Sequence, residues 1–117
     1  YTRLSSAASD VYKRQEFTMS LKSGQDNILV QGTIDLAFFG EENVIVDFKY
    51  SGLSDEKLAE KYARQLKTYK IAVMQAYDVK VDKILLYSFK TGHFIDIKKF
   101  FLLKSARNYL QITNFML

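Results

Sequence analysis

The stretch VQGTIDLAFFGEENVIVDFKY, residues 30–50, decides the fold, because it predicts two apolar strands joined by a short turn. Each strand carries one aspartate, Asp35 or Asp47, at a position where a branched apolar side chain would pack better. Lys49 follows Asp47 by two residues, so these two side chains share one face of their strand. The stretch therefore predicts a charged site inside an otherwise apolar sheet.

The flanking sequence extends these strands into a mixed α/β fold. A strand from about Glu16 and the turn cluster SGQDN precede them, which gives a three-strand meander. Residues 51–77 predict one long amphipathic helix, with Ser54 as its N-cap and acidic residues in its first turn. Two further strands, KVDKILLYSF and GHFIDI, follow around a turn at Thr91 and Gly92. The apolar face of the helix is formed by Leu58, Tyr62, Leu66, Tyr69, Val73 and Ala76.

Three segments are predicted along the chain. Residues 1–15 are interpreted as a non-native or disordered leader, because they lack apolar periodicity and DVYKRQ resembles the translation of a sequencing-library adapter. Residues 16–97 form the predicted core. Residues 98–117 are predicted to be a C-terminal tail or a closing helix.

The composition limits the class of protein. A length of 117 residues with 48% hydrophobic content suits one globular domain. The absence of cysteine excludes disulfides, thiolate zinc sites and cysteine-bound iron–sulfur clusters, so a metal ion would be a hard cation held by oxygen. The sequence has no apolar run of membrane length and no signal segment, which predicts a cytoplasmic protein without membrane contact. The net charge of +4 suits a polyanionic partner.

The two aspartates allow two interpretations. If the hairpin loop holds an odd number of residues, Asp35 lies opposite Asp47, with the side chains about 5 Å apart. Such like charges persist where a cation lies between them, and Mg²⁺ is typically bound by one or two carboxylates together with phosphate oxygens. Alternatively, Lys49 neutralises one aspartate and the other reaches solvent. The spacing alone does not decide between them.

The predicted helix adds Gln65 and Tyr69, which lie four residues apart on one helical face. Both side chains could contact a phosphate backbone or brace the site. The alternatives are core packing for Tyr69 and a solvated position for Gln65.

The segments GTID (32–35), DFK (47–49) and QLKTY (65–69), in this order on strand, strand and helix, resemble the G-x-x-D, D-x-K and Q-x-x-x-Y motifs of RecB-like nucleases. These belong to the PD-(D/E)XK superfamily. The wording of the segments is most similar to the nuclease domains of bacterial ATP-dependent helicase/nucleases of the AddA type. The resemblance covers residues 16–97 and implies a restriction-endonuclease-like core.

The resemblance implies a site and a reaction. Asp35 and Asp47 would bind Mg²⁺, or Mn²⁺ in its place, and the backbone carbonyl of Phe48 would add a ligand. Lys49 would be catalytic, and Gln65 and Tyr69 would complete the site against DNA. The implied function is that of an exonuclease domain which processes double-strand DNA ends for recombinational repair, next to a second helicase/nuclease subunit. Candidate DNA contacts, whose alternative is a solvated face, are Lys61, Arg64, Lys67 and Lys70.

The sequence also departs from this family. Relatives bring a further metal-binding histidine from upstream, whereas His93, the sole histidine, lies in the late hairpin as an expected surface residue. No phosphate-binding loop is present, so ATP would concern only an absent helicase part. The chain alone is therefore expected to be a poor nuclease. The alternative function is a non-catalytic DNA-binding or scaffold module, which would not bind metal.

Overall fold

The computed structural model of the chain describes residues 8–116, with side chains from residue 10 to residue 111; the first seven residues of the predicted leader lie outside the described range. Five strands and two helices make up the described part of the chain. Their bounds are β1 Ala8–Ser23, β2 Asp26–Gly40, β3 Val44–Lys49, α1 Asp55–Tyr77, β4 Lys83–Ser88, β5 Phe94–Asp96 and α2 Ile97–Met116.

The strands form one mixed sheet in the order β1-β2-β3-β4-β5. The first three strands are antiparallel neighbours, so the predicted meander is confirmed. β4 pairs with β3 in parallel and β5 pairs with β4 in the antiparallel direction. A parallel neighbour requires a crossover connection, and α1 provides it. The predicted mixed α/β fold is confirmed.

β1 begins at Ala8, so the predicted start near Glu16 is wrong by eight residues. Tyr12 explains the longer strand, because its ring packs against Phe39 at 5.1 Å and against Tyr77 at 5.0 Å between centroids. This segment therefore contributes to the core without the periodicity that a strand normally shows. That residues 1–15 are not native sequence stays a prediction.

Helix α1 begins and ends as its sequence dictates. Ser54 is the N-cap, and its hydroxyl oxygen accepts a hydrogen bond from the backbone N–H of Lys57 at 3.4 Å, as predicted. Asp78 ends the helix in the left-handed conformation, with φ of 51°. The buried face of the helix covers the central strands and places Gln65 and Tyr69 above the ends of β2 and β3. Its buried residues are Leu58, Ala59, Ala63, Leu66, Tyr69, Ala72 and Val73.

The C-terminal segment is helical in the described residues. Ile97 at the start of α2 is buried in the same core as α1, and Phe100 and Phe101 pack against that core. Leu102, Leu103 and other apolar side chains further along α2 are exposed. Neither helix of the described range is long and apolar enough to span a membrane.

Candidate functional site

The register of the β2–β3 hairpin sets the relation between the two aspartates. Leu36 pairs with Val46 and Phe38 pairs with Val44, which leaves a loop of five residues, 39–43. Continued by one step, this register places Asp35 opposite Asp47. The loop length is odd, so both carboxyl groups lie on the face that α1 covers.

Asp35 lies where the alternation of β2 changes phase. Ile34 faces α1, and so do Ala37 and Phe39, so the regular period of two is broken between Ile34 and Ala37. The β1–β2 ladder omits the pair of Arg14 with Asp35, and Arg14 has a φ of +47°. In place of a backbone pair, Oδ2 of Asp35 accepts a hydrogen bond from the backbone N–H of Phe48 at 2.9 Å. This bond fixes Asp35 against β3. That the carbonyl of Phe48 is a metal ligand stays a prediction.

Asp47 is a buried carboxylate, only 4% exposed. Its Oδ2 atom lies 2.9 Å from Nζ of Lys49, yet makes no hydrogen bond of suitable geometry within the described part of the chain. Burial raises the pKa of Asp47 to about 6; Lys49 opposes this rise, and the charge of Asp35 adds to it. The lysine therefore only partly compensates the buried charge.

Lys49 is held by three neighbours on the α1 side of the sheet. Its Nζ forms the ion pair with Asp47, donates to Oε1 of Gln65 at 3.3 Å and lies 4.0 Å from the centre of the Tyr62 ring. The side chain is 18% exposed. The ammonium group is thus fixed in position while it remains reachable from solvent. The role of Tyr62 was not predicted; its position three residues before Gln65 on the same helical face was the available signal.

Gln65 and Tyr69 connect Lys49 to the strand β2. Nε2 of Gln65 donates to the hydroxyl oxygen of Tyr69 at 3.1 Å. Burial raises the pKa of Tyr69, the charge of Asp47 adds to the rise, and a hydrogen bond with the Thr33 backbone opposes it. The structure therefore joins the three motifs in one network: Thr33, Tyr69, Gln65, Lys49 and Asp47. We call this the Lys49 network.

Gly32 of the GTID motif is required for close packing. A Cβ atom at this position would lie 2.8 Å from Cζ of Phe17 and 2.9 Å from Cε1 of Tyr69. The two rings meet edge to face over the glycine, with centroids 5.2 Å apart. The glycine thus allows Tyr69 to approach β2.

The four candidate DNA contacts do not form one surface. Lys61 lies near the site, with its Nζ 5.3 Å from the Tyr62 ring, and Arg64 is exposed. Lys67 and Lys70 instead line a cavity of about 300 Å³ between α1, β4 and α2. The period of the helix separates them from the Lys49 side, so the predicted single basic surface is wrong.

His93 lies apart from the aspartate pair. Its Nδ1 is 2.8 Å from Oδ2 of Asp55, and the hydroxyl of Thr91 donates to Oδ1 of the same carboxylate at 2.8 Å. These contacts lower the pKa of Asp55, the hydrogen bond with His93 being the main cause. His93 is exposed, as predicted, and ties the β4–β5 turn to the start of α1. The sequence reasoning did not foresee this tie.

The donor set suits a hard divalent cation bound together with a ligand. Asp35 and Asp47 offer carboxylate oxygens on one face, and Oδ2 of Asp47 is buried without a hydrogen bond. Within residues 10–111 no group of three or more His, Cys, Asp or Glu side chains could hold a metal ion. Mg²⁺ is commonly bound by one or two carboxylates plus substrate phosphates, so two carboxylates are sufficient for that mode.

The raised pKa of Asp47 predicts a pH-dependent stability for the metal-free chain. The folded-state pKa of about 6 lies above the ordinary value of 3.8, so the contribution is full below pH 3.8 and is lost as the pH rises through about 6. The loss corresponds to roughly 3 kcal/mol. We expect Asp47→Asn to match wild type near pH 4.5 and to melt several degrees higher at pH 8 in EDTA. A difference in Tm that does not change with pH would contradict this prediction.

Comparisons with known proteins give one consistent result. Two relatives are 36% identical to the chain, from Lachnoclostridium phytofermentans over 77 residues (62% of this chain) and from Syntrophomonas wolfei over 95 residues (78%). A third, from Geobacillus thermodenitrificans, is 29% identical over 114 residues (79%). All three are ATP-dependent helicase/nuclease subunits of the AddA type. The chain is similar to these subunits. It spans only 6%, 7% and 9% of their lengths, respectively.

Two further comparisons add little to the similarity to AddA-type proteins. No protein-family model matches the chain. A solved structure, "Crystal structure of SSO0001", aligns with a TM-score of 0.48 at 11% identity, over 86% of this chain and 50% of that one.

Proposed function

We propose that the chain is a magnesium-dependent DNA nuclease domain with a PD-(D/E)XK-type site. One observation carries the proposal: Asp47 is a buried carboxylate that faces a second carboxylate, Asp35, while the ammonium group of Lys49 is fixed beside it. The similarity to AddA-type helicase/nucleases supports the same assignment. The reaction would add water across one P–O ester bond of DNA and leave a phosphate end and a hydroxyl end.

Each residue has a stated role in this proposal. Asp35 and Asp47 would hold the cation, with the Phe48 carbonyl as a further ligand. When bound, Mg²⁺ supplies a Lewis acid and lowers the pKa of water. Lys49 stabilises the charge that develops on the phosphoryl oxygens, because its ammonium group is fixed before the substrate arrives.

Gln65 and Tyr69 act through Lys49. Gln65 accepts a hydrogen bond from Nζ of Lys49 and donates one to Tyr69, so the amide relays the position of the buried tyrosine to the lysine. A lysine side chain has several rotatable bonds, and fixing it in advance lowers the entropy that the reaction must supply. Both residues are therefore positioning residues in this proposal.

A scaffold that only binds DNA is the second candidate, and the burial of Asp47 argues against it. A buried carboxylate with a raised pKa destabilises the fold at neutral pH, and an asparagine of the same shape would avoid that cost. A site that binds a cation explains why the carboxylate is present.

The wider setting follows from the relatives and is part of the proposal. The domain would belong to a larger helicase/nuclease that acts on DNA ends during recombinational repair in the cytoplasm, together with a second subunit. ATP would be used only by the helicase part. Neither role requires an iron–sulfur cluster.

Metal titration of the isolated chain tests the proposal. A cation at tenfold excess over its dissociation constant stabilises the fold by about 1.4 kcal/mol. We expect Mn²⁺ or Mg²⁺ to raise the Tm of wild type by about 5 °C and to leave Asp35→Asn unchanged.

Asp78→Asn is the matched control, because it makes the same chemical change at the C-cap of α1, where asparagine also suits the left-handed conformation. This variant should respond to metal as wild type does. If Asp35→Asn and wild type gain the same stability from metal, the carboxylate pair is not the binding site and the proposal fails.

A further inference from the structure

A cluster of aromatic side chains lies on the face of the sheet opposite α1, where β3 and β4 end. Strand alternation places Tyr50 on this face, because Lys49, its neighbour, faces α1. The Tyr50 ring stacks on the Phe89 ring, with centroids 4.0 Å apart and planes within 3° of parallel. Phe89 in turn meets Phe48 at 5.8 Å and Tyr87 at 5.0 Å, both edge to face.

Packing within the chain does not explain the position of Tyr50. The side chain is 82% exposed and Phe89 is 44% exposed, so the pair buries little apolar surface. Next to the pair, Phe48, Tyr87 and Phe94 line an open groove of about 510 Å³. Exposed apolar patches of this kind mark surfaces that bind a partner.

The aromatic pair is connected to the candidate site through the backbone. The N–H of Phe89 donates to the carbonyl of Lys49 at 3.2 Å, and Nζ of Lys90 donates to the carbonyl of Gly52 at 2.6 Å. Lys49 and Lys90 therefore flank the stacked rings in sequence, one before Tyr50 and one after Phe89. Two cations around a flat aromatic surface complement a nucleic acid, which presents phosphates and base faces together.

We propose that Tyr50 and Phe89 form a platform on which an unpaired base stacks, close to the phosphate held at Lys49. A strand bound in this way crosses the end of β3, with its phosphate on the α1 side and a neighbouring base on the opposite side. Bases in a duplex are covered by their neighbours, so the platform selects single strands. This inference rests on the proposed function, because it assumes that the ligand of the site is DNA.

Binding without metal tests the platform separately from cleavage. The intact chain is mixed in EDTA and low salt with a fluorescein-labelled oligothymidine, with an abasic oligonucleotide of equal length and charge, and with a blunt duplex. We expect wild type to bind oligothymidine most tightly. Tyr50→Ala should weaken that binding about ten- to hundredfold and leave binding to the abasic strand unchanged.

Two further variants complete the test. Tyr50→Phe keeps the ring and should bind as wild type does. Leu29→Ala removes an exposed apolar side chain of β2 and should have no effect. The inference is overturned if Tyr50→Ala binds oligothymidine as wild type does, which would assign the patch to a protein contact, or if the abasic strand loses as much affinity. Absent cleavage in Mg²⁺ with an intact stacking effect would contradict the proposed function alone.

Discussion

Asp47→Asn is expected to lower magnesium-dependent DNA cleavage by at least about a thousandfold in the full-length helicase/nuclease protein that carries this sequence. The loss of one preorganised electrostatic contact commonly costs a hundred- to a thousandfold in rate. Asp47 contributes a proposed metal ligand and also the ion pair that fixes Lys49, so its removal affects two groups. Cleavage of labelled linear DNA in Mg²⁺ and ATP measures the effect, and strand separation on the same substrate measures the helicase.

The helicase activity and a control variant make this result specific. Asp47→Asn should leave unwinding intact, because asparagine retains the shape of the side chain. Asp78→Asn, at the C-cap of α1, should change neither activity. Cleavage by Asp47→Asn at a rate near that of wild type would show that the carboxylate pair does not perform the chemistry. Asp35→Asn and Lys49→Ala should give losses of similar size.

Gly32→Ala is expected to lower both stability and cleavage, although Gly32 bears no chemical group. The added methyl would lie 2.8 Å from the Phe17 ring and 2.9 Å from the Tyr69 ring, so one ring must move. Overpacking of this kind typically costs about 1–3 kcal/mol, which lowers Tm by roughly 5–15 °C. A displaced Tyr69 no longer holds Gln65 against Lys49, and we expect cleavage by the full-length protein to fall at least about tenfold below what stability alone explains.

Gly52→Ala is the matched control for this prediction. A Cβ atom at Gly52 meets no atom within 4 Å, so the same substitution should change Tm by less than about 2 °C. Thermal melts of the chain and cleavage assays below the melting range separate stability from activity. If Gly32→Ala melts and cleaves as Gly52→Ala does, Gly32 does not set the position of Tyr69.

Local patterns predicted the central part of the fold. Alternation identified β2 and β3, and the cap at Ser54 with the apolar face that follows it identified α1. The parity of positions 35 and 47 placed their side chains on one face once the loop was taken as odd, and the loop has five residues. These features depend on neighbours in sequence, so the sequence contains the information that they require.

Features set by distant contacts were not predictable in the same way. β1 starts early because Tyr12 meets Phe39 and Tyr77, residues that are far away in sequence. The contact of Lys49 with the Tyr62 ring depends on how α1 packs on the sheet. The separation of Lys67 and Lys70 from the site depends on the position of α2.

The crossover through α1 divides the assembly of the site in time. Asp35 and Asp47 are joined by one short hairpin, whose closure takes microseconds. Gln65 and Tyr69 reach Lys49 only when α1 docks and β4 pairs in parallel with β3, and such non-local contacts form slowly. During folding, we therefore expect the carboxylates to meet first, before the residues that fix Lys49 arrive. A cation present at that stage would bind the hairpin and favour the native register before the helix covers it.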